Sequence, residues 1–260
     1  MLIDNKIDRY PDDGFDIRTV WDFINEFSGK KSEQTGNLDI VTGYFTIRAL
    51  SKLYHDIPEE DNFRIVSSEL VKSEEDDNHI IDLLSGDSGI ESNLKADKYA
   101  EDAKAFLRRN TVQVRAIVNA FCHAKAYMFR NNNPRNDSYY LTGSSNLTDA
   151  GLGLKKTSNI ELTMGDPVKL SDKDYKEVCT WFEDIWQYAS EQIHVDPKNP
   201  KSEKISVKEY FIKMIDEYFR KYTPEEIYYK ILFELFKADL DLDGTQSLEH
   251  QQDMSLLQTS

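Results

Sequence analysis

Between Phe121 and Glu161 the chain places, in order, His123, Lys125, the run Gly143-Ser144-Ser145-Asn146 and Glu161. These types suit substitution at a phosphoryl centre. A neutral imidazole attacks as a nucleophile when its second nitrogen is oriented by an acceptor, and Glu161 is the candidate acceptor. The five-coordinate transition state gathers negative charge on its non-bridging oxygens. Lys125 and the side-chain amide of Asn146 are the candidate stabilising groups, with Gly143, Ser144 and Ser145 as neutral phosphate-binding donors at the start of a short helix.

Elements that alternate their side chains must present this set. Residues 121–127 are read as a strand, so a period of two puts His123 and Lys125 on one side with Phe121 and Tyr127. Cys122, Ala124 and Ala126 then face the other way. A second strand, Tyr139 to Thr142, delivers the Gly143 turn, and a third, Ile160 to Met164, follows from Glu161.

His123-x-Lys125 followed by Gly143-Ser144-x-Asn146 resembles the phospholipase D superfamily, and Asn159-x-Glu161 looks like the downstream acidic position of its single-motif nucleases. The resemblance implies an α/β sandwich with a mixed sheet flanked by helices. It also implies phosphodiester cleavage through a phosphohistidine, with no metal and no cofactor. One position departs. The motif's Asp falls on Arg130, which either weakens catalysis or adds a phosphate contact, and Asp137 is an acidic substitute across the Asn131–Asn136 insertion. Arg130, Arg135, Lys155 and Lys156 are the candidate DNA contacts.

Composition narrows the setting. A formal net charge of −15 over 260 residues excludes a surface that is basic throughout, so any polyanion must meet a local concentration of cations. Cys122 and Cys179 lie far apart in apolar patterns and read as buried thiols rather than a disulfide framework. The charged first residues lack a signal-peptide core and no run reaches the length of a membrane span, which points to a soluble cytoplasmic protein.

Along the chain, Asp16 caps an amphipathic helix through Ile17, Val20, Trp21, Ile24 and Phe27. A strand over Leu38–Thr46, a helix over Ile47–Tyr54 and a strand over Phe63–Ser67 follow. A helix around Ile80–Leu84 and another over Leu94–Arg109 precede a strand from Val112 to Val118. After the motif strands a helix runs from Asp174 to Trp186. Pro197 and Pro200 mark a boundary, giving a nuclease-like domain over 1–193, a helical extension over 194–239 and an acidic tail over 240–260. The extension holds two helical patterns, Val207–Tyr218 and Ile227–Phe236, the second opened by Thr223-Pro224-Glu225-Glu226.

A phosphoryl transfer of this kind needs a second group to protonate the leaving oxygen. His55, His79, His194 and His250 are not followed two residues later by Lys, so one motif per chain implies a homodimer whose two His123-x-Lys125 pairs share one site. Asp239-x-Asp241-x-Asp243-Gly244 begins like a calcium loop, but His250 stands where the bidentate Glu is required. The layout resembles the front end of bacterial Swi/Snf-related helicases and of phospholipase-D-type restriction or defence proteins, with an ATPase module expected beyond Ser260. The rival reading is a catalytically silent dimerisation and DNA-positioning module. A lipid phosphodiesterase ranks below both, since no basic amphipathic helix or second motif is present.

Overall fold

The computed structural model of the chain describes residues 2–4, 19–30, 34–68, 90–118, 120–154, 161–196 and 199–218. Six strands form a mixed sheet: β2 (Gly36–Val41), β3 (Asn62–Ser68), β4 (Val112–Ile117), β5 (Ala126–Asn131), β6 (Ser138–Gly143) and β7 (Leu162–Val168). The short β1 (Leu2–Asp4) adds to the β7 edge, giving the order β1-β7-β6-β5-β2-β3-β4. Strands β2, β3 and β4 are parallel; β5, β6 and β7 are antiparallel to their neighbours. The strand–helix–strand start followed by a run of strands thus yields the α/β architecture read from the sequence.

Five helices flank the sheet among the described residues: α1 (Val20–Ser28), α2 (Ile47–Asp56), α3 (Ile90–Arg108), α4 (Lys173–Tyr188) and α5 (Val207–Tyr218). The first begins three residues later than its apolar stripe suggests. Thr19 rather than Asp16 caps it, taking the Asp22 N–H at 3.0 Å while the Asp22 carboxylate takes the Thr19 N–H at 2.9 Å. Four of the five helices, α1, α2, α3 and α5, pack on one face of the sheet, against Leu38, Ile40, Phe63, Ile65, Tyr127 and Phe129. On the other face lies α4, whose Phe182 and Trp186 meet Val41, Val66, Ala126 and Met128.

The chain does not leave the core at residue 193. A small hairpin, β8 (Gln192–His194) with β9 (Lys204–Ser206), returns it to the sheet, and Val207, Tyr210, Phe211, Met214 and Ile215 of α5 join the main core. The compact unit runs from Met1 to Phe219, because β9 pairs antiparallel with β8 and α5 has an apolar face to bury. The expected helices at Ile80–Leu84 and Ile227–Phe236, and the tail, lie outside the described residues. No helix among the described residues is long and apolar enough to cross a membrane.

Two buried acids mark where the sheet is electrostatically committed. On the α4 face, Arg64 forks onto Asp39 with two bonds of 2.7 Å and reaches Glu183 at 2.8 and 3.1 Å, its guanidinium 4.6 Å from the Phe182 ring centre. Burial raises Asp39 above the ordinary carboxylate range despite Arg64, whereas the more exposed Glu183 is lowered, chiefly by its hydrogen bonds from Arg64.

Asp61 is fully buried, accepts the Gly36 N–H at 2.6 Å through Oδ1, and leaves Oδ2 without a hydrogen-bond partner. Burial is the first cause that lifts its pKa to about 7; the Gly36 N–H opposes it and Glu60 reinforces it. A folded-state value above the unfolded one means stabilisation that is full in acid and declines as pH rises through about 7. Unfolding in urea is therefore expected to show a loss on the order of 2 kcal/mol between pH 4 and pH 8 from this group. Asp61→Asn, which keeps an acceptor for Gly36, should flatten that slope.

Candidate active site

The sheet register assembles the site. Val41 on β2, Ala126 on β5, Thr142 on β6 and Met164 on β7 stand side by side in one row across four strands. Thr42-Gly43, Lys125, Gly143 to Asn146 and Glu161 to Thr163 all lie at or just beyond that row, where β2 and β3 end. This is the carboxyl-end crevice in which open α/β sheets place ligands. Residues some forty positions apart in sequence become neighbours because the pairing of four strands is in register there.

The motif strand starts later than the apolar alternation suggests. Residues 121–125 have no regular structure and β5 begins at Ala126. The Cys122 N–H is taken by Ser68 Oγ at 2.7 Å, which bends the segment across the end of β3. His123 is consequently exposed and Lys125 buried, so the two do not share a strand face with Tyr127, which sits in the main core. The Lys125 ammonium donates to the His123 carbonyl oxygen at 2.6 Å, and the Lys125 carbonyl accepts from the Gly143 N–H and the Thr142 hydroxyl, each at 3.3 Å.

Asn146 is turned by its acceptor. Its Oδ1 receives the Gly43 N–H at 3.0 Å, with the Thr42 hydroxyl at 3.2 Å. A Cβ on Gly43 would stand 3.1 Å from both Asn146 Oδ1 and the Cys122 carbonyl, and 3.6 Å from the Phe121 ring. Asn146 and the His123 segment thus crowd around one glycine, and only a residue without a side chain fits between them without pushing them apart.

The Gly-Ser-Ser turn is built differently from the expected helix start. The Gly143 N–H is used by the Lys125 carbonyl and the Ser144 N–H by the Leu162 carbonyl at 3.0 Å, so neither amide is an anion donor here. A turn, not a helix, follows at residues 148–153. Ser144 donates its hydroxyl to Glu161 and accepts the Leu162 N–H at 3.0 Å. Glu161 is therefore engaged by Ser144 rather than by His123. Ser145 is buried, with its Oγ 2.7 Å from Thr163 Oγ1 and its carbonyl accepting Tyr127 OH at 3.0 Å, a packing role in place of the expected phosphate contact. Burial, and then the Glu161 charge, push Tyr127 well above its ordinary pKa.

The candidate cations divide. Arg130 pairs in register with Asn37 at the opposite end of β5 from Lys125, roughly 15 Å away at strand rise. Its charge acts on Asp39 and Glu183. An aspartate there would add a third carboxylate to that pair, which accounts for the reversed sign at this position in local terms. Arg135 is exposed in the β5–β6 hairpin at that same far end, its carbonyl accepting from Lys169 at 3.1 Å, and Asp137 forms an ion pair with Lys169. Arg130, Arg135 and Asp137 are thus not brought to the site; Lys155 and Lys156 lie outside the described residues.

Sequence reasoning missed Thr42, Gly43 and Ser68. The available signal was Thr42-Gly43 inside the stretch Leu38–Thr46, which was read whole as a strand but leaves the sheet after Val41. Among the described residues no three His, Cys, Asp or Glu side chains gather as a metal-sized group. In comparison with known proteins, the chain matches no family model and no curated protein.

Proposed function

We propose that this chain is a phospholipase-D-like phosphodiesterase acting on DNA without a metal, through a phosphohistidine formed in a twofold dimer. The observation that supports the reading is the single row of the sheet at whose end Lys125, Ser144, Asn146 and Glu161 lie, with His123 on the segment that leads into it, residue types that phosphoryl substitution needs. His123 is exposed, as is Ser144, and so is open to a substrate. Its imidazole nitrogen attacks phosphorus, forming a P–N bond as the P–O bond to the leaving group breaks. The departing oxygen takes a proton from the protonated His123 of the second protomer. That imidazole, now neutral, draws a proton from water as the water oxygen attacks phosphorus, and P–N cleavage restores the first His123.

A second copy is the proposed source of the second histidine, since the other two described histidines have partners of their own. His55 on α2 is 2.7 Å from Asp102, and His194 on β8 is 2.9 Å from the Ser202 carbonyl. The rim of the site suits a second copy. Phe121, its ring centre 6.1 Å from that of His123, is 65% exposed, and Leu162 and Met164 on the neighbouring strand end are 54% and 59% exposed. Lys125 and the Asn146 NH2 group supply the positive charge and the neutral donor for the phosphoryl oxygens.

A silent phosphate-binding dimerisation module is the second reading, favoured by Glu161 being held by Ser144 and the Lys125 ammonium by its own loop. The test is cleavage of single- and double-stranded DNA in EDTA, with RNA and phosphatidylcholine vesicles alongside. Chelator-resistant DNA cleavage is expected. A dimer that binds DNA and cleaves none of the four would establish the silent module, and turnover of the lipid alone would move the substrate to a membrane.

A further inference from the structure

Thr42 belongs to none of the motif positions, but the site loop is attached through it. It is fully buried, and its own N–H is fixed to the Val66 carbonyl of β3 at 2.9 Å. Its hydroxyl oxygen takes the Leu147 N–H at 3.0 Å, donates to the Tyr44 carbonyl at 2.7 Å, and lies 3.2 Å from Asn146 Oδ1. The next residue, Gly43, donates its N–H to the same Oδ1 and accepts the Ser68 N–H through its carbonyl at 3.3 Å.

The chemistry of these contacts dictates how Asn146 stands. A main-chain N–H can face only an acceptor, so the Gly43 donor fixes which end of the Asn146 amide points inward: the oxygen. The NH2 group is then the end left for an incoming anion. A residue with no acceptor beside Leu147 N–H would leave a buried donor unmatched and free the 146–147 segment to move. Motif residues supply the amide; the end of β2 decides its direction.

We infer that Thr42, through its hydroxyl and the adjoining Gly43 N–H, is the positioning residue that aims the Asn146 NH2 group at the phosphoryl oxygen of the substrate. The inference rests on the phosphodiesterase reading in taking Asn146 as the group that meets phosphate. Thr42 itself touches no reacting atom.

Two isosteric choices separate aim from packing. Thr42→Val keeps the shape and removes the hydroxyl; Thr42→Ser keeps the hydroxyl and removes a methyl. With a bis(aryl) phosphate ester as substrate, Thr42→Val is expected to lower kcat about tenfold with KM little changed, and Thr42→Ser to remain within about twofold of wild type. In an Asn146→Ala background, Thr42→Val should cost nothing further, since the group it aims is gone.

A second readout needs no turnover. The Asn146 side-chain NH2 resonances, identified by their absence in Asn146→Ala, should shift when inorganic phosphate is added to wild type and to Thr42→Ser, and should be displaced and insensitive to phosphate in Thr42→Val. Thr42→Ala takes the place of Thr42→Val if the latter does not fold. Equal losses of kcat with and without Asn146, or Asn146 resonances unchanged by removal of the hydroxyl, would overturn the inference. Absence of hydrolysis by wild type would sink the phosphodiesterase reading alone, and the resonances would still decide the role of Thr42.

Discussion

His123→Ala is expected to lower DNA cleavage in EDTA by about four orders of magnitude while leaving the thermal transition within a few degrees of wild type. The size follows from the role: removing the nucleophile removes the covalent route itself, and what remains is the rate that binding and electrostatics provide without it. The small structural cost follows from exposure, since His123 is at the surface on a segment held by its neighbours Cys122 and Lys125. Mixing gives the effect a signature. If each dimer has one site that needs His123 from both protomers, an equal mixture of wild type and His123→Ala, allowed to exchange, retains about one quarter of the activity. Independent sites would retain about one half. Measured kcat across a series of mixing ratios distinguishes the quadratic from the linear dependence.

Arg64→Ala is expected to have the largest effect on stability, about 3 kcal/mol or more at pH 7. The arginine is the shared partner of a buried and a half-exposed carboxylate, and Asp39 without it is a buried charge with its fork of hydrogen bonds broken. The replacement also removes the guanidinium from the Phe182 and Trp186 rings, loosening α4 from the face it alone covers among the described helices. Because burial already raises Asp39, the loss of its counter-charge raises it further. The deficit should therefore be greatest at neutral pH and shrink as the pH falls and the Asp39 carboxyl takes up its proton. Adding Asp39→Asn to Arg64→Ala should recover part of the loss at pH 7 and less of it at pH 4. Urea unfolding at the two pH values measures it.

The parts of the fold that were legible are those where a side-chain period reports a buried face. Ile47 to Tyr54 and Asp174 to Trp186 carried helical stripes, and Phe63–Ser67 and Tyr139–Thr142 carried strand composition, and each lies within an element of that type. The alternation from Phe121 to Tyr127 misled because it joined two environments. Cys122 and Ala126 do face α4, but the Ser68 hydroxyl captures the Cys122 N–H and keeps residues 121–125 off the sheet ladder. That competition involves a residue more than fifty positions away and leaves no local trace. The same holds for the boundary drawn at residue 193, where two prolines read as an exit, while the α5 side chains that follow join the main core through partners distant in sequence.

Within the site, residue types were legible and partners were not. Gly143 and Ser144 read as donors, yet their amides complete the β6 edge, and a Cβ at Gly143 would approach the Leu162 carbonyl to 2.2 Å. That close passage, rather than a phosphate, explains the glycine in structural terms. Ser145 is a buried hydroxyl whose Oγ meets Thr163 Oγ1, and Thr163 is held in place opposite Gly143, two residues earlier, by the register of β6 on β7. Arg130 looked like a lost catalytic aspartate until the strand pairing placed it beside Asp39 and Glu183.

A covalent bond between His123 and phosphorus would be caught by quenching the reaction early. Wild-type protein mixed with DNA and quenched within the first turnover is digested, and the peptide containing His123 is weighed by mass spectrometry under alkaline conditions that preserve a P–N bond. A nucleotide or phosphoryl adduct on His123 is expected, present in EDTA and absent when cleavage is complete. DNA cleaved with no adduct on His123 at any quench time, or an adduct on another residue, would contradict it.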